Sequence, residues 1–335
     1  MFKVGADLVS ARAYRILGKP YGASPPTHFP QGEPSPMITR FDRVIVDLPT
    51  PKNPNPNAAS LVQELLGGKF GEMSTLMNYT FQSMNFRGKD QAQAKPFYDL
   101  ISTIAQEEHG HIEAVTFTIN LLLSGASVRG TDPTTSPLSV AEQSRNSHHF
   151  IASGQTALPM DSMGRPWTGD NVFSSGNLKL DLLHNFFLEC GARANKIRVY
   201  ETTDDPTVRA MVGYLLVRGG VHVVAYARAL EVLTGADLGK LFPIPDISNK
   251  QFPEAKVLED QGLHRILFRN DSPDFDRVAE VFKGKHPEDG SDLVVEDGKP
   301  QTFPTPILPA EPQLTAPGFG PIDEAMLAEI AKRLG

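Results

Sequence analysis

The chain has 335 residues and carries 32 Lys and Arg against 39 Asp and Glu, a formal net charge of −7. That balance excludes a sequence-independent grip on nucleic-acid phosphates, and 40% apolar with 21% charged residues excludes a globally disordered chain. No apolar run reaches the roughly 18–20 uninterrupted residues of a membrane helix, and the first twenty residues lack the apolar stretch of a signal peptide. The lone cysteine, Cys190, allows no internal disulfide. A cytoplasmic enzyme or binding protein is expected, with neither nucleic acid nor a membrane as partner.

Proline divides the chain into three zones: ten of the 28 lie in 1–57 and twelve in 243–321, which leaves six between 58 and 242. Proline breaks helix interiors, so the long helices belong in the middle zone. Residues 1–57 read as an N-terminal arm and 243–335 as a Pro-rich C-terminal arm ending in a short helix. The tail's apolar anchors are too sparse for a core of their own. It is expected to drape over neighbouring subunits.

Within 58–242 four segments show helical apolar spacing. The first follows Asn57 and runs over 58–86, with Gly67 and Gly68 marking a bend or a close approach by another backbone. The second, 95–124, starts at Lys95 and Pro96. A long connection rich in Gly, Ser, Asn and Pro leads to the third, 177–202. The turn 203–206 then opens the fourth, 206–235, which Gly235 ends. Two helical hairpins joined by one long connection predict an all-α fold, a ferritin-like four-helix bundle with one long crossover.

Glu108-x-x-His111 puts a carboxylate and an imidazole one turn apart on one helix face. Alone that pair is a weak signal. Position strengthens it: Glu72 and Glu108 flank the first turn at similar distances, and Glu189 and His222 flank the second. At 1.5 Å rise per residue all of these fall in one layer about 24 Å from the loops. Their neighbours are apolar, and buried charges must pair or bind metal. Three carboxylates and two imidazoles suit a dinuclear site for Mn or Fe.

The stretches LLGGKFGEMSTLMNYTFQSMNFRG (65–88), PFYDLISTIAQEEHGHIEAVTFTINLLL (96–123), SGNLKLDLLHNFFLECGARANKIRVYE (175–201) and RAMVGYLLVRGGVHVVAYARALEVLTG (209–235) resemble the manganese catalases. The resemblance implies disproportionation of hydrogen peroxide at two manganese ions per subunit, in a homohexamer. It assigns Glu72 and His111 to one ion, Glu189 and His222 to the other, and Glu108 as the bridge. Tyr79 resembles the family's tyrosine that hydrogen-bonds the first ligand.

Two positions depart from one branch of the family. Gly219 stands where that branch has an outer glutamate, and Leu188 where it has an arginine. Lys196, seven residues after Glu189, lies on the right face to supply the missing charge or proton relay, or else is an ordinary surface lysine. The family's calcium site would use Asp99, but the residue one turn on is Thr103. His109 is expected at the surface. An iron-loaded ferritin-like oxidase or oxygenase and a non-enzymatic spore-coat relative are the rival readings.

Overall fold

The computed structural model describes residues 43–124, 146–238, 247–270, 274–298, 300–306 and 324–334. Expectations on 1–42, on most of the first half of the long connection, and on parts of the C-terminal arm (239–246 and 307–323) lie outside these residues.

The described chain is predominantly helical. α1 (Pro56–Gly67) starts at Asn55, whose side chain accepts a hydrogen bond from Ala58 N at 3.1 Å. α2 spans Glu72–Met84, α3 Lys95–Leu123 and a short α4 His148–Ile151. α5 (Leu178–Glu201) is capped by the Asn177 side chain and α6 (Pro206–Thr234) by that of Asp205. Asn55 Nδ2 also donates to Asp205 Oδ2 at 3.1 Å, so the caps of α1 and α6 brace each other. α6 ends where Gly235 turns left-handed at φ 71°, a conformation that costs glycine nothing.

α2 packs on α3 and α5 on α6, and the pairs meet where α3 faces α6 and α2 faces α5; α1 lies along α3. α6 is long and apolar enough to cross a membrane by composition, yet nearly all of it is buried inside the protein, as befits a core helix.

The first predicted helix is in fact two. Gln63 Nε2 donates to the carbonyls of Leu158 and Met160, which pulls that loop across the end of α1. A Cβ on Gly67 would lie 2.4 Å from Met160 O. The loop backbone occupies the space a side chain would need, the helix stops, and Gly71 restarts it at Glu72. Gly67→Ala should therefore cost about 1–3 kcal/mol of stability, read as a lower urea midpoint. An unchanged midpoint would argue against this close approach.

The all-α expectation also misses two small ladders. β1 (Arg43–Val44) pairs antiparallel with β4 (Phe303–Pro304), and β2 (Ile266–Arg269) pairs in parallel with β3 (Val294–Asp297). The tail differs more from its expected course. α7 (Pro253–Asp260) packs on α6, and Leu267, Val278, Val281 and Phe282 join the core formed by α3, α5 and α6. Its anchors are too few to make a core among themselves, but they complete one on the chain's own helices. α8 (Glu324–Leu334) forms the expected terminal helix.

The fully buried His149 ring sits beside Gln63, Nε2 to Oε1 at 2.9 Å. Burial, with a smaller push from His148, lowers its pKa to about 3. A ring neutral in the folded chain but titrating near 6.5 when unfolded supports the fold above that value. The support is lost as pH falls from 6.5 toward 3. Between pH 7.5 and 5 the loss should be about 2 kcal/mol. His149→Gln should remove that increment of acid sensitivity in urea unfolding, and an unchanged pH slope would contradict it.

Candidate metal centre

The break between α1 and α2 places Glu72 in the first turn of α2, where the helix dipole favours a carboxylate. Glu108 and His111 project from α3, Glu189 from α5 and His222 from α6, and all five side chains are buried. The structure brings together every residue of the predicted layer. Glu108 is its centre: Oε2 lies 3.1 Å from His111 Nδ1, and Oε1 lies 2.7 Å from His222 Nδ1. Glu72 Oε2 stands 3.3 Å from His111 Nδ1, and Glu189 Oε1 3.4 Å from His222 Nδ1. One carboxylate thus faces two imidazoles, each with a further carboxylate of its own.

Glu72 Oε2 and Glu189 Oε2 are buried and make no hydrogen bond among the described residues. Such lone pairs are costly when unmatched, and donors of this kind are the ligand set for divalent cations. For His111, burial opposes protonation, but Glu108 first and then Glu107 and Glu72 prevail and hold the pKa up at about 10. His222 is likewise raised, burial being overcome chiefly by Glu107. A cation bound at these nitrogens displaces their protons, so ion uptake is coupled to proton release.

Lys196 belongs to the site, not the surface. It is buried, with Nζ 2.9 Å from Glu72 Oε1. A Cβ at Gly219 would lie 3.4 Å from that ammonium and 3.9 Å from Glu189 Oε2, so the missing side chain at 219 leaves the room Lys196 uses. Burial disfavours its charge, but Glu72, Glu189 and Glu108 outweigh it and raise its pKa. Tyr79 is also buried here, but its partner differs from the one expected: the hydroxyl donates to Glu189 Oε1 at 2.7 Å rather than to Glu72. Burial first, then the Glu189 charge, raises its pKa and keeps it a donor. Thr75, one turn from Glu72, donates to Glu108 Oε2 at 2.7 Å.

The spacing argument passed over Glu107 and Arg218. Glu107 Oε1 lies 3.7 Å from His111 Nε2, and its Oε2 lies 3.5 Å from His222 Nε2, so one carboxylate backs both rings. Arg218 grips it with Nε on Oε1 at 2.5 Å and Nη2 on Oε2 at 3.0 Å. Arg218 Nη1 reaches the carbonyls of Leu263 and Ile266 at 2.7 and 2.8 Å, and its guanidinium stacks on Phe268. Burial opposes ionisation of Glu107, but Arg218 and the two histidines hold its carboxyl well below the usual range. The i, i+4 pairs Glu107–His111 and Arg218–His222 were the signal in the sequence.

Two side positions resolve differently. Lys95 Nζ sits on both Asp99 oxygens at 3.0 and 2.8 Å and also contacts Asp276. Thr103 Oγ1 donates to Phe268 O at 2.8 Å. The Lys95 ammonium is the cation paired with Asp99 in this structure. His109 is half-exposed beside Glu113, off the ligand layer.

A helical protein in which three carboxylates and two imidazoles converge in one buried layer is a metalloprotein in its design. The sequence profile of the family described as manganese containing catalase matches residues 37–333. The chain belongs to that family, whose activity is that of a non-haem catalase acting on hydrogen peroxide with manganese as its metal. A manganese catalase of Bacillus subtilis strain 168 is 32% identical over 251 residues, covering 71% of this chain and 89% of the relative. A second from Bacillus subtilis is 31% identical over 272 residues, 80% of this chain and 94% of the relative. Among solved structures, the wild-type manganese catalase KatB from Anabaena aligns at 23% identity and a TM-score of 0.46. That alignment covers 74% of this chain and 97% of the other.

Proposed function

We propose that the chain converts two hydrogen peroxide to two water and dioxygen at a pair of manganese ions, held in a ferritin-like bundle with one long crossover. Glu72 and His111 hold one ion, Glu189 and His222 the other, and Glu108 bridges them. The observation that carries this reading is the placement of the two Glu108 oxygens, one toward each imidazole. The metal pair, when bound, supplies a two-electron couple, which matches the peroxide stoichiometry without release of radicals.

The chain's own groups supply the rest. Three carboxylates fall one charge short of two divalent ions, and the Lys196 ammonium beside Glu72 adds another positive charge. The site therefore favours an anionic oxygen ligand such as deprotonated peroxide. Lys196 Nζ, in the space Gly219 leaves open, is placed to donate a hydrogen bond to such a ligand. Tyr79 fixes Glu189 and Thr75 fixes Glu108, while Glu107 orients both rings, as outer partners of metal ligands do.

A homohexamer is part of the proposal. Its support is a set of apolar side chains left exposed on α2 and α5: Phe81, Met84, Leu180 and Phe187. Metal analysis paired with an oxygen-evolution assay tests the whole reading. Two manganese per chain, oxygen evolution that survives cyanide, and no Soret band are expected. Bound iron with oxygen uptake would move the chain to the di-iron oxidases. Negligible metal would favour a spore-coat-like structural role.

A further inference from the structure

The tail folded against the helices carries a second group of metal-binding side chains, remote in sequence from the first. His264 lies in the single turn Leu263–Arg265, opened by Gly262 at φ 83°. His286 and Asp289 lie on a tight turn in which Gly290 N donates to His286 O and His286 N donates to Ser291 O, at 3.0 and 2.7 Å. Gly290 at φ 71° closes it. The two turns put three donor atoms within 4.8 Å of one another.

Asp289 is the hinge of the group. Its Oδ2 lies 2.9 Å from His264 Nε2 and its Oδ1 3.4 Å from His286 Nδ1. Ser291 N and Oγ donate to Oδ1 at 2.9 and 2.7 Å, which fixes the carboxylate's orientation. His286 is buried, while Asp289 is 45% exposed and opens the cluster to water. His264 Nδ1 is buried with no hydrogen-bond partner among the described residues.

A single histidine–aspartate hydrogen bond would explain one ring. It does not explain a second, buried imidazole turned onto the same carboxylate, whose Nδ1 otherwise accepts only a long hydrogen bond from Glu288 N at 3.3 Å. The neighbouring cations have partners elsewhere: Lys250 pairs with Glu288 at 3.0 Å and Arg228 with Glu231 at 2.6 Å. Apart from the neutral Ser291 donors, the Asp289 carboxylate faces only the two rings.

The geometry points to a mononuclear site for a divalent transition ion of the zinc class, formed by His264, His286 and Asp289, with solvent completing the coordination. Two imidazoles and one carboxylate suit Zn²⁺ and its late first-row neighbours. Calcium and magnesium require more oxygen ligands than this cluster offers. Bound there, the ion ties the turn before β2 to the turn before β3, two segments that share few other side-chain bonds. Its role is that of a staple on the folded tail, separate from the peroxide chemistry.

Full-length, manganese-loaded protein dialysed against micromolar Zn²⁺ and passed through a desalting column tests the site, with zinc and manganese both measured. One zinc per chain is expected in the wild type. Asp289→Asn and His264→Gln should each bind it on the order of 10–100-fold more weakly, with manganese content and oxygen evolution unchanged. Zinc retained equally by the variants would place it elsewhere and overturn the site, as would no zinc in the wild type. Should either variant fail to fold, Co²⁺ added to the wild-type holoenzyme keeps the question open to measurement. Visible bands of a low-coordinate nitrogen–oxygen site, abolished by competing Zn²⁺, support the cluster, and their absence refutes it.

Discussion

Glu108→Ala should remove most of the bound manganese and nearly all oxygen evolution. Among the described residues only Glu108 presents one carboxylate oxygen to the Nδ1 of each imidazole, at 3.1 and 2.7 Å, Glu107 lying behind the rings on their Nε2 side. Without it Glu72 with His111, and Glu189 with His222, become separate two-ligand sites, each too sparse to hold its ion firmly. The missing negative charge leaves any two divalent ions in a buried layer with less compensation, and like charges repel strongly there. Thr75 Oγ1 would keep only the Glu72 carbonyl as an acceptor. Metal content by mass spectrometry and oxygen evolution on an electrode read the result. A variant with full manganese and full activity would remove Glu108 from the bridge and with it the proposed site. Glu108→Gln separates charge from shape: it keeps an oxygen for one side only and should lose activity nearly as completely.

The layer was legible because helix starts and stops are chemically marked. Asn177, Asp205 and Gly235 are caps, so counting residues from the turns gives heights along the helices that the structure reproduces. The break at 68–71 was half legible. The glycine pair announced a close approach, but the partner is a loop more than ninety residues away, and no local pattern names it. Glu107 escaped because the motif scan follows the metal-facing Glu108-x-x-His111, whereas a carboxylate four residues before a histidine reads equally well as a solvated helix face. Its burial depends on Arg218, and that of Arg218 on two carbonyls from the tail. The tail's course was the least legible part. Sparse apolar anchors show that a segment needs a surface to cover, not which surface it covers. The small β ladders accompany that docking: β2 lies against α3 and pairs with β3.

Arg218→Met should destabilise the folded chain by about 3–5 kcal/mol, because it leaves the Glu107 carboxylate buried without its partner. The guanidinium holds both Glu107 oxygens and two tail carbonyls and is itself fully buried, so no water can replace it in place. The loss should appear as a lower urea midpoint and as weaker manganese retention. Stability alone does not separate a structural pair from a group that positions the metal ligands, but a second variant does. In Glu107→Gln with Arg218→Met no unpaired buried charge remains, and much of the lost stability should return. The outer nitrogens of His111 and His222 would still face an amide instead of a carboxylate. Ring orientation and basicity both depend on that partner, so manganese affinity should stay about 10–100-fold below the wild type. Recovery of stability without recovery of affinity marks Glu107 as the group that orients the two imidazoles. Recovery of both would reduce the pair to a packing element between α3, α6 and the tail.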